Sequence, residues 1–225
     1  EYVAVRAADL APKPHALDHA QAAATPLSAL TAWQALFDHA QLTPGQRVLI
    51  HGAAGGVGSF AVQLAHGRGA HVIGTASGRN VRFVRYLGAD EVIDYRATPF
   101  ETVMRDVDLV FDTIGGTTLE RSWSVLRRDG LLITIVRPPS PAWANGQNAR
   151  GVFFIVEPCR NQLIGLGRLI DAGVVRPMVE AVLPLEQARA AYERVARQHP
   201  RGKLVLVVAG NEWRRTSVVL FTANT

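Results

Sequence analysis

The residues best suited to chemistry in this chain are small ones, which lie together from Gly52 to Gly58 in the run GAAGGVG. On the G-x-G-x-x-G template the three key positions are Ala53, Gly55 and Gly58, so an alanine replaces the first glycine. Gly55 has no side chain to keep a diphosphate away from the backbone, and Gly58 allows the next helix to lie close to the preceding strand. This turn therefore predicts the binding of a dinucleotide.

Glycines also mark ordinary turns, so the neighbouring elements must decide between a plain structural turn and a phosphate-binding turn. Residues 48–50 form a short apolar run before the glycines, as in a strand covered on both faces. A helix from about Gly56 to His66 and a second strand from His71 to Thr75 follow. This order favours the dinucleotide site, because the positive end of the helix dipole would face the phosphates.

The end of the second predicted strand favours NADPH over NADH. An NAD site usually places an acid about 20 residues after the glycines to hold the ribose 2′-hydroxyl, but no Asp or Glu occurs between Asp38 and Asp90. Residues 75–80 instead read TASGRN, and the hydroxyl of Ser77 and guanidinium of Arg79 suit a 2′-phosphate. In the alternative interpretation Ser77 caps the helix that follows. Both interpretations can hold at once.

Composition excludes several other classes. The 225 residues, 48% of them hydrophobic, suffice for one core and part of a second domain. No apolar run approaches the roughly 20 residues of a membrane helix, and the first residues lack the features of a signal peptide, so a cytoplasmic protein is expected. Cys159 is the only cysteine, which excludes a disulfide or a cysteine-built metal site within this chain.

The net charge of +5 and the sequence pI near 10.0 raise the question of nucleic-acid binding. The Lys and Arg residues are spread along the chain and form no block of five or more. We therefore predict that the partner is a small-molecule substrate, and that neither nucleic acid nor a membrane is bound.

Strand-like and helix-like segments alternate along most of the chain. Beyond the glycine unit, strands are predicted at 91–94, 108–112, 130–136 and 152–156, with helices at about 80–87, 117–126 and 160–172. This alternation predicts an α/β fold with a doubly wound parallel sheet of the Rossmann type, whose ligands bind outside the carboxyl ends of the strands. Glu1–Ala8 also alternates like a strand, and Asp18 is placed to cap a short helix.

Five motifs resemble, in order, those of the zinc-independent quinone oxidoreductase branch of the medium-chain dehydrogenase/reductase family, which is alcohol dehydrogenase-like. They are AAATPLSALTAWQAL (Ala22–Leu36), PGQRVLIHGAAGGVGSFAVQLA (Pro44–Ala65), LGADEVIDY (Leu87–Tyr95), VFDTIGG (Val110–Gly116) and RGKLVLVV (Arg201–Val208). Several motifs in the right order are much more specific than the glycine turn alone, and the resemblance covers roughly residues 1–209.

The resemblance implies a subunit with an NADP-binding Rossmann domain and a GroES-like catalytic domain. Most of the family's catalytic domain comes from a segment that would precede Glu1, so a fragment or a truncated product is expected. The expected organisation is a remnant of the GroES-like catalytic domain at 1–16, the Rossmann domain at 17–183, a helix and strand returning to the catalytic domain at 184–209, and a tail at 210–225. Family members form dimers, so a homodimer is expected.

The resemblance also implies chemistry without zinc. Zinc-dependent members carry a metal-ligand cysteine just before the stretch that matches Leu30 and Thr31, and alignment on that pair places Leu27 at the cysteine position. Leucine cannot bind zinc. We therefore expect no metal site, and the histidines are expected to be structural or exposed.

Carried over position by position, the resemblance implies the residues that bind the cofactor. The diphosphate would meet backbone N–H groups of Ala54, Gly55, Gly56 and Val57. The 2′-phosphate would lie at Thr75, Ser77 and Arg79, and the adenosine at Tyr95, Thr113 and Ile114. The nicotinamide would lie at Ile135, Val136, Phe153 and Phe154.

Three of these regions have structural alternatives. Tyr95 is equally suited to a boundary between helix and sheet. Asp112 is suited to capping the helix after the fourth strand rather than touching a ligand. Phe153 and Phe154 also fit a hydrophobic edge strand that pairs with a second subunit, as this region does in dimers of the family.

The implied reaction is hydride transfer from C4 of NADPH to an electron-poor carbon of a quinone or enone, with the cofactor supplying the difficult chemistry. No Ser–His–Asp set, Cys–His set or Tyr-x-x-x-Lys pair is apparent. No catalytic acid is therefore assigned, and a proton would come from solvent or from the segment before Glu1. The alternative is a truncated NADPH-binding module with no turnover of its own.

Overall fold

The computed structural model describes residues 3–140 and 148–208, and its centre is a sheet of six parallel strands. The strands are β1 (Arg47–Ile50), β2 (His71–Ala76), β3 (Glu91–Asp94), β4 (Val107–Asp112), β5 (Leu126–Thr134) and β6 (Arg150–Phe153). Their spatial order is β3-β2-β1-β4-β5-β6, and every pairing is parallel. The order reverses between β1 and β4, where doubly wound sheets bind their ligands.

Helices cover both faces of this sheet, as the alternation predicts. They are α1 (His19–Ala23), α2 (Pro26–Trp33), α3 (Gly56–Gly67), α4 (Val81–Tyr86), α5 (Phe100–Val103), α6 (Gly116–Ser122), α7 (Arg160–Asp171) and α8 (Ala188–Gln198). Phe60 of α3 and Leu166 of α7 are buried on one face, and Phe100 of α5 and Leu119 of α6 on the other. None of the helices described is long and apolar enough to cross a membrane.

The six predicted sheet strands all form, and only β5 and β6 differ from the predicted bounds by more than one residue. β5 begins before the predicted residue 130, because Leu126 pairs with Val107 across a register shift. It ends before Val136, whose N–H donates to Thr134 Oγ1 at 3.2 Å and so leaves the ladder. β6 covers Arg150–Phe153 rather than residues 152–156, and the chain beyond it bonds to a helix side chain through Glu157 O.

A second sheet consists of two parallel strands, β7 (Val179–Pro184) and β8 (Lys203–Val207). The residue before β8, Gly202, crosses the glycine-rich turn and donates its N–H to Ala54 O at 2.9 Å. The returning C-terminal strand is therefore anchored at the place where the sequence predicts a dinucleotide. The predicted tail at 210–225 lies outside the described residues.

The strand predicted at Glu1–Ala8 does not form in the part that the structure describes. Residues 3–6 have no regular structure, and Ala7–Asp9 form a 3₁₀ turn. An alternating segment becomes a strand only when a neighbour accepts its backbone hydrogen bonds, and none of the described strands pairs with it. Asp18 caps α1 as predicted, since its carboxylate accepts from the N–H of Gln21 at 2.7 Å in a capping box.

Candidate functional site

The carboxyl ends of the six parallel strands lie along one edge of the sheet, and the predicted site residues follow these ends. In spatial order they are Tyr95 after β3, Thr75, Ser77 and Arg79 at and after β2, Ala54–Val57 after β1, Thr113 and Ile114 after β4, Ile135 and Val136 after β5, and Phe153 and Phe154 at and after β6. The structure thus brings the whole predicted set to one edge, in the order needed by an extended dinucleotide.

The glycine-rich turn is as tight as its template requires. A β-carbon at position 58 would lie 2.2 Å from Gly52 O and 2.8 Å from Ala53 Cα, and neither backbone atom can move aside. Gly52 has a φ of +69°, a left-handed conformation that favours glycine. Gly58 therefore allows α3 to begin directly against the end of β1, as the sequence predicts.

The first turn of α3 supplies backbone donors. Gly55 is the N-cap residue, but its own N–H donates to Gly52 O at 2.9 Å within the turn. The first N–H with an acceptor inside the helix is that of Ser59, which donates to Gly55 O at 2.9 Å. The N–H groups of Gly56 and Val57 therefore remain at the positive end of the helix dipole, where an anion is favoured.

Lys203, which the sequence analysis did not assign to the site, brings a cation to the same place. Its side chain lies across Gly56, where a β-carbon would be 2.4 Å from Cε and 3.1 Å from Nζ. Among the residues described, no carboxylate forms an ion pair with Lys203, and burial lowers the pKa of its ammonium group. A cation beside the positive end of a helix is unfavourable unless an anion lies against both groups. The Lys203 ammonium group and the first turn of α3 therefore fit a diphosphate.

The segment after β2 carries the residues predicted for the 2′-phosphate. Ser77 is the N-cap residue of a 3₁₀ turn, but its side chain makes no capping hydrogen bond. Its hydroxyl therefore keeps its hydrogen-bonding capacity, and the structural alternative of helix capping is not used. The guanidinium of Arg79 lies on the carbonyl oxygens of Gln198 and His199, at the C-terminal end of α8.

Two further charged residues that sequence reasoning missed adjoin this segment. The guanidinium of Arg201 lies 5.4 Å from the centre of the Phe83 ring and donates to the carbonyl oxygen of Arg79 at 2.8 Å. Asp94, at the end of β3, is so close that a β-carbon on Gly78 would lie 2.6 Å from its Oδ2. The guanidinium of Arg201 thus adds a positive charge beside this segment, and such a charge suits a phosphate group.

A buried histidine fixes the end of β2 beneath the glycine turn. His51 Nδ1 lies 3.0 Å from Thr75 Oγ1, and Nε2 lies 3.0 Å from Ser122 Oγ. Ser122 donates its hydrogen to Thr118 O at 2.6 Å, so Nε2 must carry the ring proton and Nδ1 must accept from Thr75. Burial, with the charge of Arg121, lowers the pKa of His51 to about 3 and keeps the ring neutral. The Thr75 hydroxyl therefore has no hydrogen left for a phosphate.

Asp112 has a structural role, but it holds the turn before α6 rather than capping the helix. It is fully buried, and its carboxylate accepts from backbone N–H groups of the turn after β4 and from the Thr134 hydroxyl at 3.0 Å. Burial raises the pKa of Asp112, and these hydrogen bonds act against that rise. Thr113 donates its hydroxyl to His51 O at 2.8 Å. Ile114 is exposed, so it is the residue of this turn that offers a side chain to a ligand.

The edge beyond β5 is mostly apolar. Ile135 is half-buried against the core, and Val136 is 43% exposed at the surface of the edge. Phe153 is half-buried at the end of β6. Phe154 is buried, and its ring lies 4.5 Å from the ring of His39 in the helix layer. Phe154 can therefore meet a ligand only through its backbone.

The sequence of this chain is similar to those of known proteins. Residues 87–206 match the family model described as zinc-binding dehydrogenase. The chain is 37% identical over 217 residues to a probable zinc-binding oxidoreductase, mitochondrial, of Arthroderma benhamiae, covering 89% of this chain and 66% of the relative. It is 34% identical over 210 residues to the NADPH-dependent alkenal/one oxidoreductase, chloroplastic, of Arabidopsis thaliana, covering 92% of this chain and 52% of the relative.

Solved structures have a similar fold. The quinone oxidoreductase from Coxiella burnetii matches with a TM-score of 0.82 and 34% identity, over 88% of this chain and 63% of that chain. The 2-octenoyl-CoA carboxylase reductase CinF of a Streptomyces species, solved with NADP and 2-octenoyl-CoA, matches with a TM-score of 0.83 and 27% identity, over 96% of this chain and 54% of that chain. The chain thus spans about half to two thirds of the length of the proteins that it matches.

Proposed function

This chain belongs to the zinc-binding dehydrogenases of the medium-chain dehydrogenase/reductase family, and from that premise we propose that it is the NADPH-binding part of an oxidoreductase that reduces a quinone or an α,β-unsaturated carbonyl. The observation that carries the proposal is the position of Lys203 beside the N-terminal turn of α3. Two positive groups converge there on the spot where the sequence motif predicts a diphosphate.

Different residues along the edge bind different parts of the cofactor. Gly56 and Val57 donate backbone N–H groups to the diphosphate, and Lys203 adds its charge. The apolar Ile135 and Val136 flank the nicotinamide and exclude water from it. The chemistry that the nicotinamide supplies when bound is hydride donation, and the protein contributes position and electrostatics.

A preference for NADPH over NADH is supported by the charges after β2. The guanidinium of Arg201 donates to the backbone oxygen of Arg79 there, and Ser77 keeps a hydroxyl without a capping bond. Asp94 opposes them, because a carboxylate near the 2′-position favours a ribose hydroxyl. Arg201 and the Ser77 hydroxyl suit a 2′-phosphate, and the Arabidopsis thaliana relative carries NADPH in its name, so we assign NADPH to this chain.

We also propose that the reaction proceeds without zinc, although the matching family model is named for zinc binding. In the part of the chain that the structure describes, no group of three or more His, Cys, Asp or Glu side chains could hold a metal ion. Leu27, at the position expected for a cysteine ligand, is a half-buried apolar residue in the first turn of α2. The residues present therefore do not fit a zinc centre.

The substrate class is supported by the relatives, whose names include a quinone oxidoreductase and an alkenal/one oxidoreductase. The test is the loss of NADPH absorbance on mixing the chain with a quinone or an enone, alongside a fluorescence titration with NADPH. Acceptor-dependent oxidation supports the full proposal, and saturable binding without oxidation supports an NADPH-binding module. A folded chain that binds no NADPH contradicts both. The homodimer and the cytoplasmic location stay predictions.

A further inference from the structure

A π-helical turn, Gln34–His39, continues α2, and its characteristic bond runs from Ala40 N–H to Ala35 O at 3.0 Å. An α-helix turns by about 100° per residue, which would place position 39 about 140° around the axis from position 34. The wider π turn brings residues five positions apart towards one face. The side chains of Gln34, Asp38 and His39 accordingly all bond to or touch the segment between β6 and the first half of α7.

Gln34 holds both backbone groups of Glu157. Its Nε2 donates to Glu157 O at 2.8 Å, and its Oε1 accepts from Glu157 N–H at 3.1 Å. A neighbouring strand would hold a residue in the same way. Gln34 is only 6% exposed, so these hydrogen bonds lie in a buried setting where losing them is costly. The side chain thus extends the support of the sheet past the last residue of β6.

A second pair of hydrogen bonds fixes the direction of this network. Gln162 donates its Nε2 to Asp38 Oδ2 at 2.6 Å. Gln162 must then present its Oε1 to Gln34 Nε2, which lies 2.9 Å away. This leaves Gln34 Oε1 as the only acceptor for the N–H of Glu157. Each amide therefore has one permitted orientation, and the network is resistant to rearrangement.

His39 supplies the third contact, at the other end of the same segment. Its ring lies 4.5 Å from the ring of Phe154, which is the first residue after β6. Residues 154–157 are thus held at their first residue by an aromatic contact and at their last residue by the amide of Gln34. The segment follows β6, at the end of the sheet that the family resemblance assigns to the nicotinamide, and β2 and β3 lie at the opposite end.

We propose that Gln34, Asp38 and His39 form a π-turn clamp that positions residues 154–157 as the wall of the nicotinamide half of the cofactor site, an inference that rests on the proposed function. Gln34 acts through Glu157 and is a positioning residue, not a catalytic one. The clamp explains why the helix gives up regular α-helical bonding at this place, since an unbroken α-helix would point one of its three side chains away.

The first test compares two ligands on the full chain. NADPH needs the wall at 154–157, whereas 2′,5′-ADP carries the adenosine and the 2′-phosphate but no nicotinamide. Gln34→Leu should raise the Kd of NADPH about tenfold, because two buried hydrogen bonds to Glu157 are lost, and should change the Kd of 2′,5′-ADP by less than about twofold. Gln46→Leu, a substitution of the same kind at a site remote from the segment, should change neither.

A milder variant and a measurement without ligand make the test decisive. His39 is exposed, so His39→Ala should keep the fold and raise the Kd of NADPH alone by about threefold. Amide exchange at Glu157 should be faster in Gln34→Leu than in the wild type, even without a cofactor. Equal losses for both ligands, or unchanged exchange at Glu157, would overturn the clamp. A wild-type chain that binds neither ligand would instead refute the proposed function, and exchange at Glu157 would still decide the clamp.

Discussion

The side chain of Lys203 crosses Gly56 so closely that a β-carbon at position 56 would lie 2.4 Å from Lys203 Cε. Lys203 belongs to β8 of the two-stranded sheet. Gly56 is the first residue of α3, the helix that follows β1 of the six-stranded sheet. A parallel bridge between Gly55 and Gly202 joins the two sheets at the same point. Lys203 and the first turn of α3 therefore set two positive groups against each other, and the proposed diphosphate site would relieve this repulsion.

Removing the charge of Lys203 should weaken both nicotinamide cofactors, because the diphosphate is common to them. Lys203→Met should raise the Kd of NADPH and of NADH by about tenfold to a hundredfold, the range of a hydrogen bond to a charged group. Fluorescence titration measures both values. Lys13 is the only other lysine in the chain, so Lys13→Met is the matched control and should have no effect. Unchanged affinity in Lys203→Met would remove the assigned role.

Arg201 should distinguish the two cofactors. Arg201→Ala removes a guanidinium held over Phe83 and beside Arg79, so the Kd of NADPH should rise about tenfold while that of NADH stays within about twofold. Arg82→Ala, on the exposed side of α4, is the control. If both cofactors lose affinity equally in Arg201→Ala, the 2′-phosphate does not lie at this residue.

The glycines of α3 should respond in opposite ways to alanine. At Gly58 a β-carbon would meet backbone atoms at 2.2 and 2.8 Å, so Gly58→Ala should lower the free energy of unfolding by about 1–3 kcal/mol. At Gly67, in the last turn of the same helix, the nearest atom is Val174 Cγ1 at 3.4 Å. Gly67→Ala should therefore raise the free energy of unfolding by about 0.5–1 kcal/mol. Urea titration compares them, and a tolerated alanine at 58 would show that the turn is looser than described.

His51 should make the fold sensitive to acid. Its pKa is lowered to about 3 in the folded chain by burial and by Arg121, and is about 6.5 when unfolded. Between these values the unfolded state binds the extra proton, so stability falls as the pH falls below 6.5, by about 1.4 kcal/mol per pH unit. His51→Gln should lose that part of the slope in urea titrations at pH 7, 6 and 5, whatever its stability at pH 7. An unchanged slope would mean that the ring is protonated in the folded state.

Much of the fold could be predicted from local patterns. The apolar run before Gly52 and the alternation of strands and helices predict the parallel sheet, because these signals act within one element at a time. The location of the candidate site could also be predicted, because the carboxyl ends of parallel strands all lie at the same edge of the sheet. The strand at Glu1–Ala8 was wrong for its described part, because alternation shows what a strand could bury and not whether a partner lies beside it.

The missed residues depend on contacts between distant parts of the chain. The run GKLVLVV is typical of a strand, and nothing in it shows that Lys203 will lie on Gly56. Arg201 was missed similarly, since its bond to Arg79 exists only once β8 has returned to the glycine turn. The π turn was hidden because Trp33, Leu36 and Phe37 have the spacing of an ordinary α-helix.

The position of the diphosphate in a crystal structure of this chain with NADPH tests the central assignment most directly. We predict phosphate oxygens within hydrogen-bonding distance of the N–H groups of Gly56 and Val57 and of Lys203 Nζ, with the 2′-phosphate beside Ser77 and Arg201. A cofactor bound with its diphosphate away from the first turn of α3 would contradict it. So would the absence of cofactor density at this turn in crystals grown with excess NADPH.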